Sequence, residues 1–256
     1  MTFHLPLVLT LPSILALTPA LLAQPPAEIR GRPGTVGGPS SLPVLHVQRT
    51  DDFELTGDGH AAAWKKAGWE PLHRRGQNGL PYEARFKVLY SRTGLYALMS
   101  GTDRKLTATF TKDFEDLWTE DVFELFLWPD ENQTVYFEYE ISPLGTELPI
   151  LVPNIGKKFL GWRPWHYEGS RTTRRSTTVT GGTKRSGAII TGWTAEMFIP
   201  YELLAPLANV PPQDGTRWRA NFYRVDHDDG KRTSWDWSRV GPSFHEFKKY
   251  GTLIFD

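Results

Sequence analysis

From residue 83 onward the chain repeatedly alternates apolar with polar side chains, a rhythm that suits strands half-buried in a sheet and does not suit long helices. TVYFEYEIS (134–142) places Val135, Phe137, Tyr139 and Ile141 on one face, with Tyr136, Glu138, Glu140 and Ser142 on the other. AIITGWTAEMFIP (188–200) and TRWRANFYRVD (216–226) keep the same step. EARFKVLYS (83–91) and GLYALMSG (94–101) flank Arg92-Thr93 as a hairpin, and TLIF (252–255) closes the chain. Helical signal is confined to HAAAWKKA (60–67) and a turn after Pro200. Many strands separated by polar turns predict an all-β fold, an antiparallel two-sheet β-sandwich of jelly-roll-like type.

The core for such a fold is available without staples. The chain has 256 residues, no cysteine, and 14 Phe, 10 Trp and 9 Tyr, enough aromatic volume to fill a sandwich and spare a few rings for a ligand. The absence of thiols excludes cysteine nucleophiles, redox pairs and zinc–thiolate sites. Lys and Arg (29) balance Asp and Glu (29), which argues against nucleic acid or an anionic membrane as the main partner.

Three segments are expected. Residues 1–24 are leucine-rich, carry no charged side chain and offer a cleavage point after Ala23, which reads as a signal peptide, with a retained anchor as the alternative. Prolines at 6, 12 and 19 disfavour a stable spanning helix. Residues 25–41 are rich in Pro, Gly and Ser, a flexible tether. Residues 42–256 form the globular domain. Export to the periplasm or the exterior follows, and a monomer is expected.

The strand 121–128 poses the sharpest question. Phe123, Leu125 and Leu127 make a core-facing row, while the opposite row carries Val122, Glu124, Phe126 and Trp128. A carboxylate among apolar side chains must be paired, lose its charge or line a pocket. An internal pair with Arg219 or Arg224 is one resolution, and contact with a polar ligand is another.

Taken together, the motifs resemble the carbohydrate-binding modules of family 9 and their stand-alone exported relatives. Phe53-Glu54-Leu55-Thr56-Gly57-Asp58-Gly59 followed by Trp64 is similar to the opening element of that family, and residues 117–127 to its central strand. Residues 136–145 are similar to the next strand, and Ser234-Trp235-Asp236-Trp237-Ser238 with Tyr250-Gly251-Thr252-Leu253-Ile254-Phe255 to the C-terminal signature. The resemblance spans residues 43–256. It implies a non-catalytic β-sandwich whose two tryptophans clamp a sugar at a chain's reducing end, with structural calcium. Such modules are commonly appended to glycoside hydrolases, which are the implied partners in carbohydrate breakdown.

Carried over residue by residue, the resemblance makes Trp118 the first clamp and Trp237 the second, with Trp235 as the alternative. Glu124 takes the position of a hydroxyl-binding carboxylate. Glu140 and Ser142 stand where sugar binders of the family look to have arginine and asparagine, a departure that bears on the ligand. For calcium, Asp226, Asp228 and Asp229 in DHDDG (226–230) provide hard oxygen ligands in a tight turn, with Asp58 and the Glu120-Asp121 pair as further candidates. Trp193 reads as core, Trp162 and Trp165 as a loop that extends a sugar platform or packs, and His245-Glu246 as turn residues. Two other function classes remain open: a glycoside hydrolase or lyase using Glu124 and Glu140, and a structural module without a sugar site.

Overall fold

The computed structural model describes residues 41–76, 81–155, 158–165 and 167–256, so the expected leader and nearly all of the tether lie outside the described residues. The described chain is all-β. Its strands are β1 (Val44–Arg49), β2 (Glu70–Arg74), β3 (Ala84–Tyr90), β4 (Gly94–Thr102), β5 (Val122–Trp128), β6 (Val135–Ile141) and β7 (Glu147–Ile155). They continue with β8 (Lys158–Phe159), β9 (Arg163–Pro164), β10 (Arg174–Thr180), β11 (Gly192–Pro200), β12 (Arg217–Asp226), β13 (Thr233–Asp236) and β14 (Gly251–Phe255). Helix is reduced to one turn, α1 (Tyr201–Leu204), and short 3₁₀ turns.

The strands form two facing layers, β10-β11-β4-β3 and β14-β12-β5-β6-β7, joined into one continuous sheet. This corrects the expectation of two separate antiparallel sheets. The first half of β1 pairs parallel with β14 (Val44↔Thr252 to Val47↔Phe255), and its last residues pair parallel with β3 (Gln48↔Leu89, Arg49↔Tyr90). On the other side, β2 pairs with β3 and then with β13, which lies against β12. Two short strands that change partner midway therefore close β3-β1-β14-β12-β13-β2 into a ring. That closure pairs backbone groups that two open sheets would leave at their edges.

The core lies between the layers. Phe86 on β3 stacks on Phe222 of β12 (centroids 3.9 Å apart), and Phe123 on β5 stacks on Trp193 of β11 at 3.9 Å. Each such ring contributes about 1.5–3 kcal/mol by leaving water. Trp193 is a core residue, as its alternating row predicts.

The outer face of β5, β6, β7 and β12 is covered too, by residues 240–250. Val240, Phe244, Phe247 and Tyr250 close over Phe126, Trp128, Tyr136, Ile150 and Tyr223. Both rows of β5 are therefore buried, and Glu124 stands inside this second apolar cluster. In-register pairing sets Glu124 directly opposite Glu140 and Phe126 opposite Glu138, with Tyr223 on the other flank of Glu124.

Candidate functional site

The cover over that outer face is incomplete around Glu124, where a pocket of about 300 Å³ opens. Its floor is Glu124 and Phe126 from β5 with Glu138 and Glu140 from β6. The three carboxyl side chains are 2%, 4% and 1% exposed respectively. Among the described residues, each keeps a buried oxygen without a hydrogen-bond partner: Oε1 of Glu124, Oε2 of Glu138 and Oε2 of Glu140.

Burial pushes Glu124 up to about 8, although Arg232 and Arg75 pull the other way. Glu138 and Glu140 rise well above the ordinary carboxylate range, first from burial and then from the neighbouring acids, and they lie within hydrogen-bonding reach of each other. The Trp118 backbone N–H pulls Glu140 the other way. His245 Nδ1 lies 3.8 Å from Glu138 and 2.6 Å from the Tyr136 hydroxyl, and burial pushes its imidazole down to about 4, so it is neutral near pH 7.

The walls are aromatic. Trp118 rides on the 3₁₀ turn Leu117–Thr119 just ahead of β5 and is 47% exposed. Trp162, 37% exposed, and Phe159 come from the segment that follows β7. Phe159 stacks on His245 with centroids 4.3 Å apart, and Phe244 stacks on Tyr223 at 4.1 Å. Flat exposed rings over a floor of acceptor oxygens suit a molecule with an apolar face and donor groups at its rim, which describes a pyranose.

Of the residues singled out in the sequence for sugar, the fold brings Trp118, Glu124 and Glu140 together and leaves three elsewhere. Trp237 is buried in the core against Phe86 and Phe222. A Cβ on Gly251 would lie 2.3 Å from its ring, so the Trp237 and Gly251 motif is a packing pair. Trp235 is 1% exposed, donates from Nε1 to the Tyr82 carbonyl at 3.2 Å and lies under the Arg224 guanidinium. Trp235 and Trp237 do share a face, but the face is the inner one, so neither can stack on a ligand. Ser142 is also buried, its hydroxyl 2.6 Å from that of Thr146 in the turn after β6, away from the pocket.

The wall beyond Trp118 is instead Trp162, Phe159 and Phe244. Trp165, read together with Trp162, packs on the core and donates to the Leu203 carbonyl at 3.0 Å. His245, read as a turn residue, lines the pocket, as does Arg232. Glu138 was legible as the neighbour of Glu140 in the same alternating row. The expected partners of Glu124 are engaged elsewhere: Arg219 donates to the Tyr250 carbonyl, and Arg224 belongs to a second acidic cluster.

That second cluster gathers Asp103, which follows β4, with Asp226 at the end of β12 and Asp228 just beyond it. All three are buried, with donor oxygens within 4.8 Å of one another. Arg224 Nη2 lies 3.1 Å from Asp103 Oδ2 and 2.6 Å from Asp226 Oδ2. Tyr82 donates its hydroxyl proton to Asp228 Oδ2, while Asp228 Oδ1 is buried without a partner. Burial, only partly offset by Arg224, pushes Asp103 up to about 7 and raises Asp226.

Three carboxylates with one orphaned oxygen are donors of the type a hard cation such as calcium takes, while Arg224 already bonds two of the three and competes for that place. Asp103 was not anticipated, because it lies far from DHDDG in sequence. Asp229 points away and pairs with Arg104 at 2.7 Å, and Asp58 is engaged by Thr56 and His60 on the other layer. Glu120 and Asp121 are also taken: Glu120 accepts the Thr109 N–H, and Asp121 accepts those of Thr107 and His227.

Comparison with known proteins agrees with this architecture. Among solved structures, a Bacteroides uniformis protein provisionally assigned to carbohydrate binding superposes with a TM-score of 0.70 at 18% identity, covering 84% of this chain and 100% of that one. A family 9 carbohydrate-binding module from Caldicellulosiruptor kristjanssonii, solved with cellotriose, gives a TM-score of 0.58 at 13% identity, covering 84% and 94%. The same module solved with glucose gives 0.58 at 14%, covering 84% and 96%. No curated protein matches the sequence. The sequence pattern of carbohydrate-binding family 9 matches residues 64–255, and the chain belongs to that family.

Proposed function

We propose that the chain is a non-catalytic, exported sugar-binding module whose ligand packs on Trp118 and hydrogen-bonds to Glu124 and Glu140. The observation that carries this reading is a half-exposed tryptophan at the mouth of a pocket floored by buried carboxyl groups with unpartnered oxygens. An aromatic ring takes the C–H face of a pyranose, and carboxyl oxygens accept its hydroxyls. The charge-free leader supports export, and family membership supports a role beside glycoside hydrolases in polysaccharide breakdown. Calcium at Asp103, Asp226 and Asp228 belongs to the same proposal, as a structural ion.

Calorimetric titration of the full-length chain with glucose, cellobiose, xylobiose and their borohydride-reduced alditols tests it. Binding that Trp118→Ala abolishes supports the module, and loss on reduction marks a reducing-end binder. Silence across the panel from a folded protein leaves the scaffold without this ligand class.

One observation favours a second reading: Glu124 and Glu140 face each other across paired strands, and hydrolases of glycosides use two carboxyls about 5–10 Å apart. Release of reducing sugar from the same oligosaccharides, lost in Glu124→Gln, would establish it.

A further inference from the structure

The charge on the pocket is lopsided for a ligand that is merely polar. Among the described lining residues, three are acids and one, Arg232, is a cation. Arg232 lies over the Phe244 ring, 5.4 Å from its centroid. Arg75, the other guanidinium near Glu124, is turned to Asp236 and the Gly241 carbonyl. His245 is a neutral neighbour. Glu138 and Glu140 sit side by side on one face of β6, each with a buried oxygen that no N–H or O–H of the described residues reaches.

Glu138 and Glu140 lie within hydrogen-bonding reach of each other and can share a proton, and only a positive group can take that proton's place between them. A neutral sugar brings donors and no charge, so it cannot do so. An ammonium brings three N–H donors and a positive charge together, and its charged hydrogen bonds are the stronger kind.

Building on the sugar-binding reading above, we propose that the pocket selects a sugar bearing a free, protonated amino group, with the ammonium against Glu138 and Glu140 and the ring on Trp118. Glu124, on the neighbouring strand and closer to Arg232 and Arg75, is left to accept hydroxyls. Acetylating the amine removes both the charge and two of the three donors, so an N-acetylated sugar loses the advantage.

The test is calorimetry on the full-length chain at pH 6.5 and 150 mM salt with glucosamine, glucose, N-acetylglucosamine and choline. Glucosamine is expected to bind at least about tenfold more tightly than the other three, a difference of about 1.4 kcal/mol. Glu138→Gln should shrink that preference to within about threefold while changing glucose affinity little, and Glu140→Gln should shrink the preference as well if the first variant does not fold. Glucose binding as tightly as glucosamine would overturn the amine proposal and leave the sugar-binding reading standing. Choline binding as tightly as glucosamine would overturn it as well, by showing a site for cations rather than sugars. Neither sugar binding to a folded protein would overturn both readings.

Discussion

The molecule buries two clusters of acids and treats them differently. At the end of β12, Asp103 and Asp226 close on the fully buried Arg224, and Tyr82 donates to Asp228, so most of the cluster's acceptors are met from within the chain. On the outer face of β5 and β6, Glu124, Glu138 and Glu140 each keep one buried oxygen without a hydrogen-bond partner among the described residues, and they open onto a pocket walled by aromatic rings. A buried charge that the chain itself compensates supports structure. A buried acceptor that the chain leaves uncompensated beside solvent-accessible space is more costly to keep, and its natural partner is a ligand.

The comparison breaks most readily at Arg224. Replacing it with Gln leaves Asp103 and Asp226 buried without their cation, and a loss of about 3–5 kcal/mol is expected in urea unfolding. A loss below about 1 kcal/mol would mean that the Asp cluster is no better compensated than the Glu cluster.

Trp118→Ala is the converse experiment. The ring is half-exposed, so unfolding free energy should change by less than about 1 kcal/mol, while sugar affinity falls by about 2 kcal/mol or more, roughly thirtyfold. Equal effects on folding and binding would place Trp118 with the structural aromatics such as Trp237.

Calcium sharpens the difference further. At a concentration a hundred times its dissociation constant it should stabilise the protein by about 2.7 kcal/mol, read as a rise in Tm that chelator reverses. Asp228→Asn should remove most of that rise, and Glu140→Gln should leave it intact.

A further contrast concerns pH. Glu124 holds its proton up to about 8 in the folded chain, against an ordinary value of 4.5. Between those values the folded state binds more protons than the unfolded state, so this contribution is fully present at low pH and is lost as pH rises through about 8. Thermal melts from pH 5 to 9 in the absence of sugar should show Tm falling with pH, with a shallower slope in Glu124→Gln. Glu138 and Glu140, shifted in the same direction, supply the remaining slope.

How much of this was legible before folding differs residue by residue. Phe123, Leu125 and Leu127 announced the core face of β5, and Glu124 announced its own conflict, because alternation is a property of consecutive residues. The same alternation set Glu138 beside Glu140. It also set Trp235 beside Trp237, but could not say that their shared face was the inner one. A tryptophan in a core and a tryptophan in a binding site look alike in sequence, and the contact with Gly251 that separates them spans 14 positions from Trp237. Asp103 joined Asp226 and Asp228 through the packing of β4 against the end of β12, over more than a hundred residues.

Local pattern therefore determined strands β3 to β6, β11, β12 and β14, their inward rows and the oddness of a glutamate among apolar neighbours, since side-chain direction in a strand depends on nothing beyond the strand. Tertiary structure decided the closure through β1 and β2, the cover by residues 240–250 and the gap left in it. It also decided which acids met Arg224 and which met none, because each of these depends on distant segments meeting across the sheet.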